Sequence, residues 1–161
     1  MPLTRGYVAL VDDEDYDRVS AGSWQVLEHR RTRYAVRPSG HGKPTIYMHR
    51  MILGAQPGQL VDHINHDGLD NRKANVRLCS PSQNMANQEK NRAGTSRFKG
   101  VHRVKGYDRW RASIFYGGKT RHLGSFGSEE DAARVYDTAA LALWGEYAKL
   151  NQPERGIAVV R

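Results

Sequence analysis

Cysteine is almost missing from this chain: Cys79 is the single one in 161 residues. That excludes an intramolecular disulfide and a multi-thiolate zinc site, so no structural zinc is expected and any metal has to be held by oxygen and imidazole. Long apolar runs are missing too. No window nears the roughly 18 uninterrupted apolar residues of a membrane helix, so the chain is not expected to cross a bilayer. The opening Met1-Pro2-Leu3-Thr4-Arg5-Gly6 has neither the apolar stretch nor the cleavage site of a signal peptide, so a cytoplasmic location is expected. Internal repeats and low-complexity tracts are absent. Acids are scarce: 17 Asp and Glu face 25 Lys and Arg, for a net charge of +8 and a pI near 9.8. With only 39% hydrophobic residues the core is modest and the surface basic. The natural partner of such a surface is a polyanion.

Organisation along the chain is that of an α+β protein. Residues 1–48 are β-rich, with apolar or alternating runs at 7–11, 34–36 and 45–48. The acidic cluster Asp12, Asp13, Glu14, Asp15 and Asp17 lacks the glycine and terminal glutamate of a calcium loop and reads as a solvated loop. His49 to Leu53, closed by Gly54, predicts a short helix or turn in which His49 packs beneath the strands after it, whereas His41 sits in a turn. Leu60 to Ile64 predicts a strand, 65–74 a long polar turn, and Asn75 to Leu78 the return strand. Ser80 is a good N-cap and Pro81 a good first helical residue, so a helix carrying Asn84 on its first turns should begin there. Polar residues 89–96 read as a linker. Three more strands are expected at 98–104, 110–116 and 121–126, with turns at Gly106-Tyr107-Asp108 and Gly117-Gly118-Lys119. Ser128 and Asp131 have capping-box spacing at the start of a helix that packs Ala132, Val135, Tyr136, Ala139, Ala140 and Leu143 on the sheet and ends at Gly145.

Strand, strand, helix gathers Asp62, His63, Asn75 and Asn84, the residues best suited to cutting a phosphodiester. The reaction needs a metal to neutralise phosphate and a base to activate water. Asp62 and Asn84 offer hard oxygens that suit magnesium or manganese better than zinc. His63 is the natural base, since an ordinary imidazole is half neutral near pH 6.5. Alternation sends His63 to the face opposite Asp62 unless the strand twists or ends there. Taken alone, an Asp-His pair is most often a surface hydrogen bond, Asn71 is a turn residue, and Cys79 is a small buried apolar group.

The run from Leu60 to Leu78, completed by Ser82-Gln83-Asn84, resembles the HNH nucleases, in particular the H-N-N variant of phage homing endonucleases. The resemblance implies a ββα-metal finger at about 59–88, within a nuclease domain spanning 1–88. It also implies His63 as general base, Asp62 and Asn84 as ligands of one Mg2+ or Mn2+, and Asn75 as the residue bracing the loop that orients His63. His66 stands where relatives often carry glycine and is not expected to be a ligand.

Between Lys90 and His122 ten Lys or Arg face the single Asp108. Such a run is usually a solvated face, but here aromatics interleave it on predicted strands. Alternation turns Val101, Ala112 and Ile114 to the core and Arg109, Arg111 and Ser113 outward, and arginines on a β-ribbon can read guanine in a major groove. Phe98-Lys99-Gly100-Val101, Arg109 to Ile114, His122 to Phe126, Glu130 to Asp137 and Ala148-Lys149-Leu150-Asn151 resemble the Apetala/ethylene-response-factor DNA-binding domain. That resemblance spans 97–152, leaves a tail at 153–161, and implies a three-stranded antiparallel sheet over one helix with the sheet in the major groove. Lys99, His102, Arg103, Arg109, Trp110, Arg111, Ser113 and Arg121 become the expected DNA contacts, with Trp110 equally suited to the core. His102 and His122 depart from the plant pattern of Arg and Trp.

Together these readings imply a metal-dependent, homing-type DNA endonuclease, a monomer or weak dimer of phage or bacterial origin. It would act on double-stranded DNA and leave a 5′-phosphate and a 3′-hydroxyl. The alternatives are a non-catalytic DNA-binding regulator that uses the finger as a scaffold, and a nuclease directed at RNA.

Overall fold

The computed structural model describes residues 1–29, 32–90 and 94–151; positions 91–93 of the expected linker and the whole expected tail lie outside them. The fold is α+β, with four α-helices and three antiparallel sheets among the described residues. Contacts divide the chain into two compact units, Met1–Asn84 and Met85–Arg161.

In the first unit, β1 (Gln25–His29), β2 (Thr32–Arg37) and β3 (Ile46–Tyr47) form an antiparallel sheet in that order. The strand expected at 7–11 does not form. Val8 and Leu10 make only isolated bridges, to Pro2 and Asp70, because this segment spends its backbone groups on loops. Leu10 N–H donates to the Leu69 carbonyl and its carbonyl accepts from Asn71 N–H, each at 2.8 Å, which pins the polar turn of the finger. Nor is the acidic cluster a solvated loop. It begins helix α1 (Asp13–Ser20), where Asp13, Glu14 and Asp15 sit favourably at the positive end of the helix dipole. Asp15 is buried and ion-paired with Arg18 at 2.7 Å and Lys73 at 3.2 Å, while Lys73 also meets Glu14 at 2.6 Å. The two corrections share a cause in part: Leu69, Asn71 and Lys73, far along the chain, supply partners that no local pattern announces.

Helix α2 (Met48–Leu53) continues directly from β3 and stops at Gly54, which takes the left-handed conformation that glycine adopts without strain. Its Met48 and Ile52 join Val19, Trp24, Ala35 and Val76 in the core. The finger comes next: β4 (Leu60–His63) pairs antiparallel with β5 (Val76–Cys79), placing His63 opposite Val76 and Asp62 opposite Arg77. Helix α3 (Pro81–Asn87) starts on a reciprocal cap, with Gln83 N–H donating to Ser80 Oγ at 3.2 Å and Ser80 N–H to Gln83 Oε1 at 2.8 Å.

The second unit holds β6 (Val101–Arg103), β7 (Trp110–Tyr116) and β8 (Lys119–Phe126), antiparallel in that order, covered by α4 (Glu129–Trp144). The β7–β8 turn has positive φ at both Gly117 and Gly118, the twist-matched two-residue hairpin that glycine pairs favour. Ser128 Oγ accepts from Asp131 N–H at 3.0 Å and caps α4, which ends at Gly145. Ala132, Tyr136 and Ala140 are buried as the periodicity requires, but Leu143 is exposed, and Ala133, Asp137 and Trp144 are buried in addition. Buried Asp137 accepts from the Asn151 backbone at 2.8 Å, and Asn151 brackets Lys99 by bonding both its N–H and its carbonyl.

Candidate active site and basic sheet face

β4 brings Asp62 and His63 side by side, both buried, at 8% and 6% exposure. They serve different neighbours, as alternation demands. Asp62 Oδ2 meets the Arg77 guanidinium at 3.3 Å from Nη2 and 3.4 Å from Nε, a loose pair between two largely buried side chains. His63 packs instead against the rings of His49, at 4.9 Å between centroids, and Tyr34, at 5.9 Å.

Beyond His63 the chain turns at once. Ile64 N–H still bonds the Asn75 carbonyl at 2.9 Å, but His66 adopts a positive φ of 66°. Asn75 holds this turn closed: its Oδ1 accepts from Asn65 N–H at 3.0 Å and its Nδ2 donates to the Asp70 carbonyl at 2.7 Å. Asp70 receives both Nε and Nη2 of Arg72 at 2.8 Å and Nδ2 of Asn65 at 3.0 Å. The Arg72 hydrogen bond outweighs burial and holds the Asp70 carboxyl below its ordinary range. Gly68 is seated against β2, where an added Cβ would come within 2.2 Å of the Arg33 carbonyl and 2.7 Å of the Tyr34 ring. The first sheet therefore fixes the loop that fixes His63.

Burial draws the His63 imidazole below its ordinary value; a side-chain hydrogen bond to Asn71 and the charges of Asp62, Asp67 and Asp70 pull it part of the way back. At neutral pH the ring is uncharged and basic. Asn71 is more than a turn residue: it is fully buried, and its Nδ2 donates to the Leu69 carbonyl at 3.0 Å. Tyr34 is raised by burial, then by Tyr47 and by the charge of Asp62. Asn84 lies half-buried on α3, its backbone N–H bonded to the Ser80 carbonyl at 2.9 Å.

Among the described residues no three His, Cys, Asp or Glu side chains cluster to hold a metal. The ligand pair expected from the sequence, the Asp62 carboxylate and the Asn84 amide oxygen, sits on β4 and α3. A single anionic oxygen with one neutral oxygen suits magnesium or manganese, which keep several waters, and Arg77 already neutralises part of the Asp62 charge.

In the second unit, cross-strand pairs share a face. Val101 faces Ala112, and His102 faces Arg111. Buried Val101, Ala112 and Ile114 mark the α4 side. The outward side carries His102, Arg109, Arg111 and Ser113, joined by His122 opposite Ser113. His102 is lowered first by burial, then by the charges of Arg111 and His122. The other expected DNA contacts lie elsewhere. Arg121 is opposite Ile114, hence on the helix side, and stacks on Tyr116 at 5.8 Å. Arg103 shares that side with Trp110, lying 5.7 Å over its ring and pairing with Asp108 at 2.6 Å, while Trp110 packs half-buried against the core. Lys99 Nζ donates to the Met85, Ala86 and Gln88 carbonyls at 3.1, 2.6 and 2.7 Å, and burial followed by the charge of Lys149 brings it down to about 8. Each of these cations is engaged inside the unit, as is Arg109 on the outward side, whose Nη2 donates to the Ser125 carbonyl at 2.7 Å. Sequence reasoning gave no site role to Tyr34, Arg77 or His122, and read Asn71 only as a turn residue. Cross-strand pairing with Asp62 announces Arg77, whereas nothing local announces Tyr34.

β4, β5 and α3 follow one another in the strand-strand-helix order that the resemblance implied, with Asp62 and His63 buried on β4 and Asn75 bracing the turn between the strands. A protein named as an uncharacterized HNH endonuclease in Acanthamoeba polyphaga mimivirus is 31% identical over 146 residues, which cover 83% of this chain and 73% of that relative. The chain belongs to the HNH endonuclease family. Protein 3.8 of Escherichia phage T7 is 30% identical over 94 residues, 58% of this chain and 77% of that protein. An AP2-like ethylene-responsive transcription factor of Arabidopsis thaliana, ANT, is 42% identical over 60 residues, 36% of this chain but only 11% of the plant protein. No protein-family model matches the chain.

Proposed function

We propose that the protein is a divalent-metal-dependent DNA endonuclease of the homing H-N-N type, with target affinity supplied by the basic sheet of its second unit. The observation that carries this reading is His63: buried, lowered by burial and set at the end of a strand beside Asp62. The neutral imidazole takes a proton from the water that attacks phosphorus. Asn75 keeps the turn after His63 closed, so the base does not drift as it gains charge. A magnesium or manganese ion held by Asp62 and Asn84 would supply positive charge to the phosphate and the departing 3′ oxygen. The products are a 5′-phosphate and a 3′-hydroxyl. One such site cuts one strand.

Supercoiled plasmid incubated with protein and Mg2+ should be nicked, and chelator should stop the nicking. His63→Ala should bind the plasmid but leave it supercoiled. The second reading, a DNA-binding regulator, draws on the similarity to a plant transcription factor and on Arg77 neutralising Asp62. Binding without nicking at every pH and with every divalent metal would favour it over the nuclease.

A further inference from the structure

His49 is the hub of four rings. It meets His63 edge-on, at 4.9 Å between centroids and 82° between planes, and reaches Tyr34 and Tyr47 at 5.5 Å each. Tyr34 and Tyr47 support each other at 5.8 Å. The backbone under His49 is held firmly: its neighbours Met48 and Ile52 are in the core, and α2 closes on Gly54, whose N–H returns to the Arg50 and Met51 carbonyls. Yet His49 is an expensive residue to bury. It is 7% exposed, and its Nδ1 is shielded from water without a hydrogen-bond partner. A leucine would bury comparable apolar volume without that cost. What leucine lacks is a flat ring whose edge or face can set a neighbouring imidazole at the short end of aromatic contact distances.

We propose that His49 is a positioning residue for the nuclease reaction, its ring forming, beside Tyr34, the wall against which the His63 imidazole is set, with Tyr47 packed on both rings. The inference rests on the nuclease reading and deepens it, since it makes α2 and the first sheet part of the catalytic apparatus. Burial, helped by the charges of His63 and Arg50, brings the His49 imidazole down to about 3, so the wall carries no charge of its own beside the base.

The test is single-turnover nicking of supercoiled plasmid in Mg2+ by the full chain as wild type, His49→Ala and His49→Phe, each checked for folding by circular dichroism. A displacement of about 1 Å costs on the order of 100-fold, so His49→Ala should lose roughly 10- to 100-fold in kcat with KM and plasmid affinity unchanged. His49→Phe, which restores a ring, should recover most of that loss. If His49→Ala does not fold, His49→Leu replaces it with the same expectation. Wild-type kcat in the ring-less variant, a loss confined to KM, or equal rates for the ring-less variant and His49→Phe would each overturn the proposal. Independently of cleavage, a nuclear Overhauser effect between the His49 and His63 ring protons is expected in metal-free wild type, and its absence overturns the proposal too. A wild type that never nicks sinks the nuclease reading instead; one that nicks no better than His49→Ala leaves that reading standing and removes only this inference.

Discussion

The finger of the first unit and the sheet of the second use polar residues in opposite ways. Around His63 the polar groups are buried and answer one another: Asp62 to Arg77, Asn75 to the loop, Asp70 to Arg72. On the outward sheet face Arg109 and Arg111 are exposed, Arg109 with one bond to the Ser125 carbonyl, and half-buried His102 lies across from Arg111 with Ser113 beyond it. The difference reflects the tasks proposed for them. A base must hold one geometry, which a buried hydrogen-bonded network enforces at the cost of desolvation. A surface that meets a polyanion gains from charge left in water until the partner arrives.

The largest effect that would break this comparison is at the base itself. His63→Ala should lower single-turnover nicking by about 1,000-fold with little change in plasmid binding by gel shift; an equal loss of binding would make the finger a recognition element. Next is the brace. Asn75→Ala strands the Asn65 N–H and the Asp70 carbonyl and should cost about 2–3 kcal/mol in urea unfolding, with nicking reduced in the protein that remains folded. The second unit supplies a contrast between two cations. Arg111→Ala should weaken double-stranded DNA binding by about 1–3 kcal/mol and flatten its salt dependence if it meets phosphate. Lys99→Ala should instead lose stability, by about 1–3 kcal/mol, and leave the salt dependence of binding unchanged, because Lys99 is already spent on carbonyls.

The smallest effects are in pH. His63 is lowered in the folded protein, so nicking should fall on acidification with a midpoint below the ordinary imidazole value of 6.5. His49 is lowered from 6.5 to about 3, so between those values the unfolded chain binds the proton and the folded chain does not. Its contribution to stability is complete above pH 6.5 and declines by about 1.4 kcal/mol per unit as the pH falls toward 3. Urea midpoints from pH 7.5 to 5 should show that decline, reduced in His49→Phe.

Much of this was legible in the residues. The finger strands, the Ser80 cap, β7, the glycine hairpin and α4 all rest on local signals, namely alternation, turn chemistry and capping, which act over a few residues and are written there. The first unit was harder to read. Tyr7 to Val11 alternates like a strand yet is held by the turn at Leu69 to Asn71, and the acids at 12–15 look solvated until Lys73 and Arg18 arrive. In the second unit the cations that look free in sequence divide by register: the β7–β8 pairing, with its shift between Ala112 and Ser113, puts Arg121 with Ile114 on the helix side.

The sequence by itself determined the side-chain types available to this protein: oxygens and imidazoles rather than thiolates around Asp62, His63 and Asn84, a basic second unit, and a resemblance in the finger that the mimivirus relative bears out at the level of the HNH endonuclease family. Only tertiary structure decided which of those groups are free to act. Burial lowers His63, the Asp62–Arg77 pair moderates a carboxylate, three carbonyls retire Lys99, and Tyr34 and His49 come to stand beside the His63 ring. The physical reason is range: residue type and local pattern fix what a side chain can do, whereas desolvation and ring or charge contacts depend on neighbours that only the folded chain brings near.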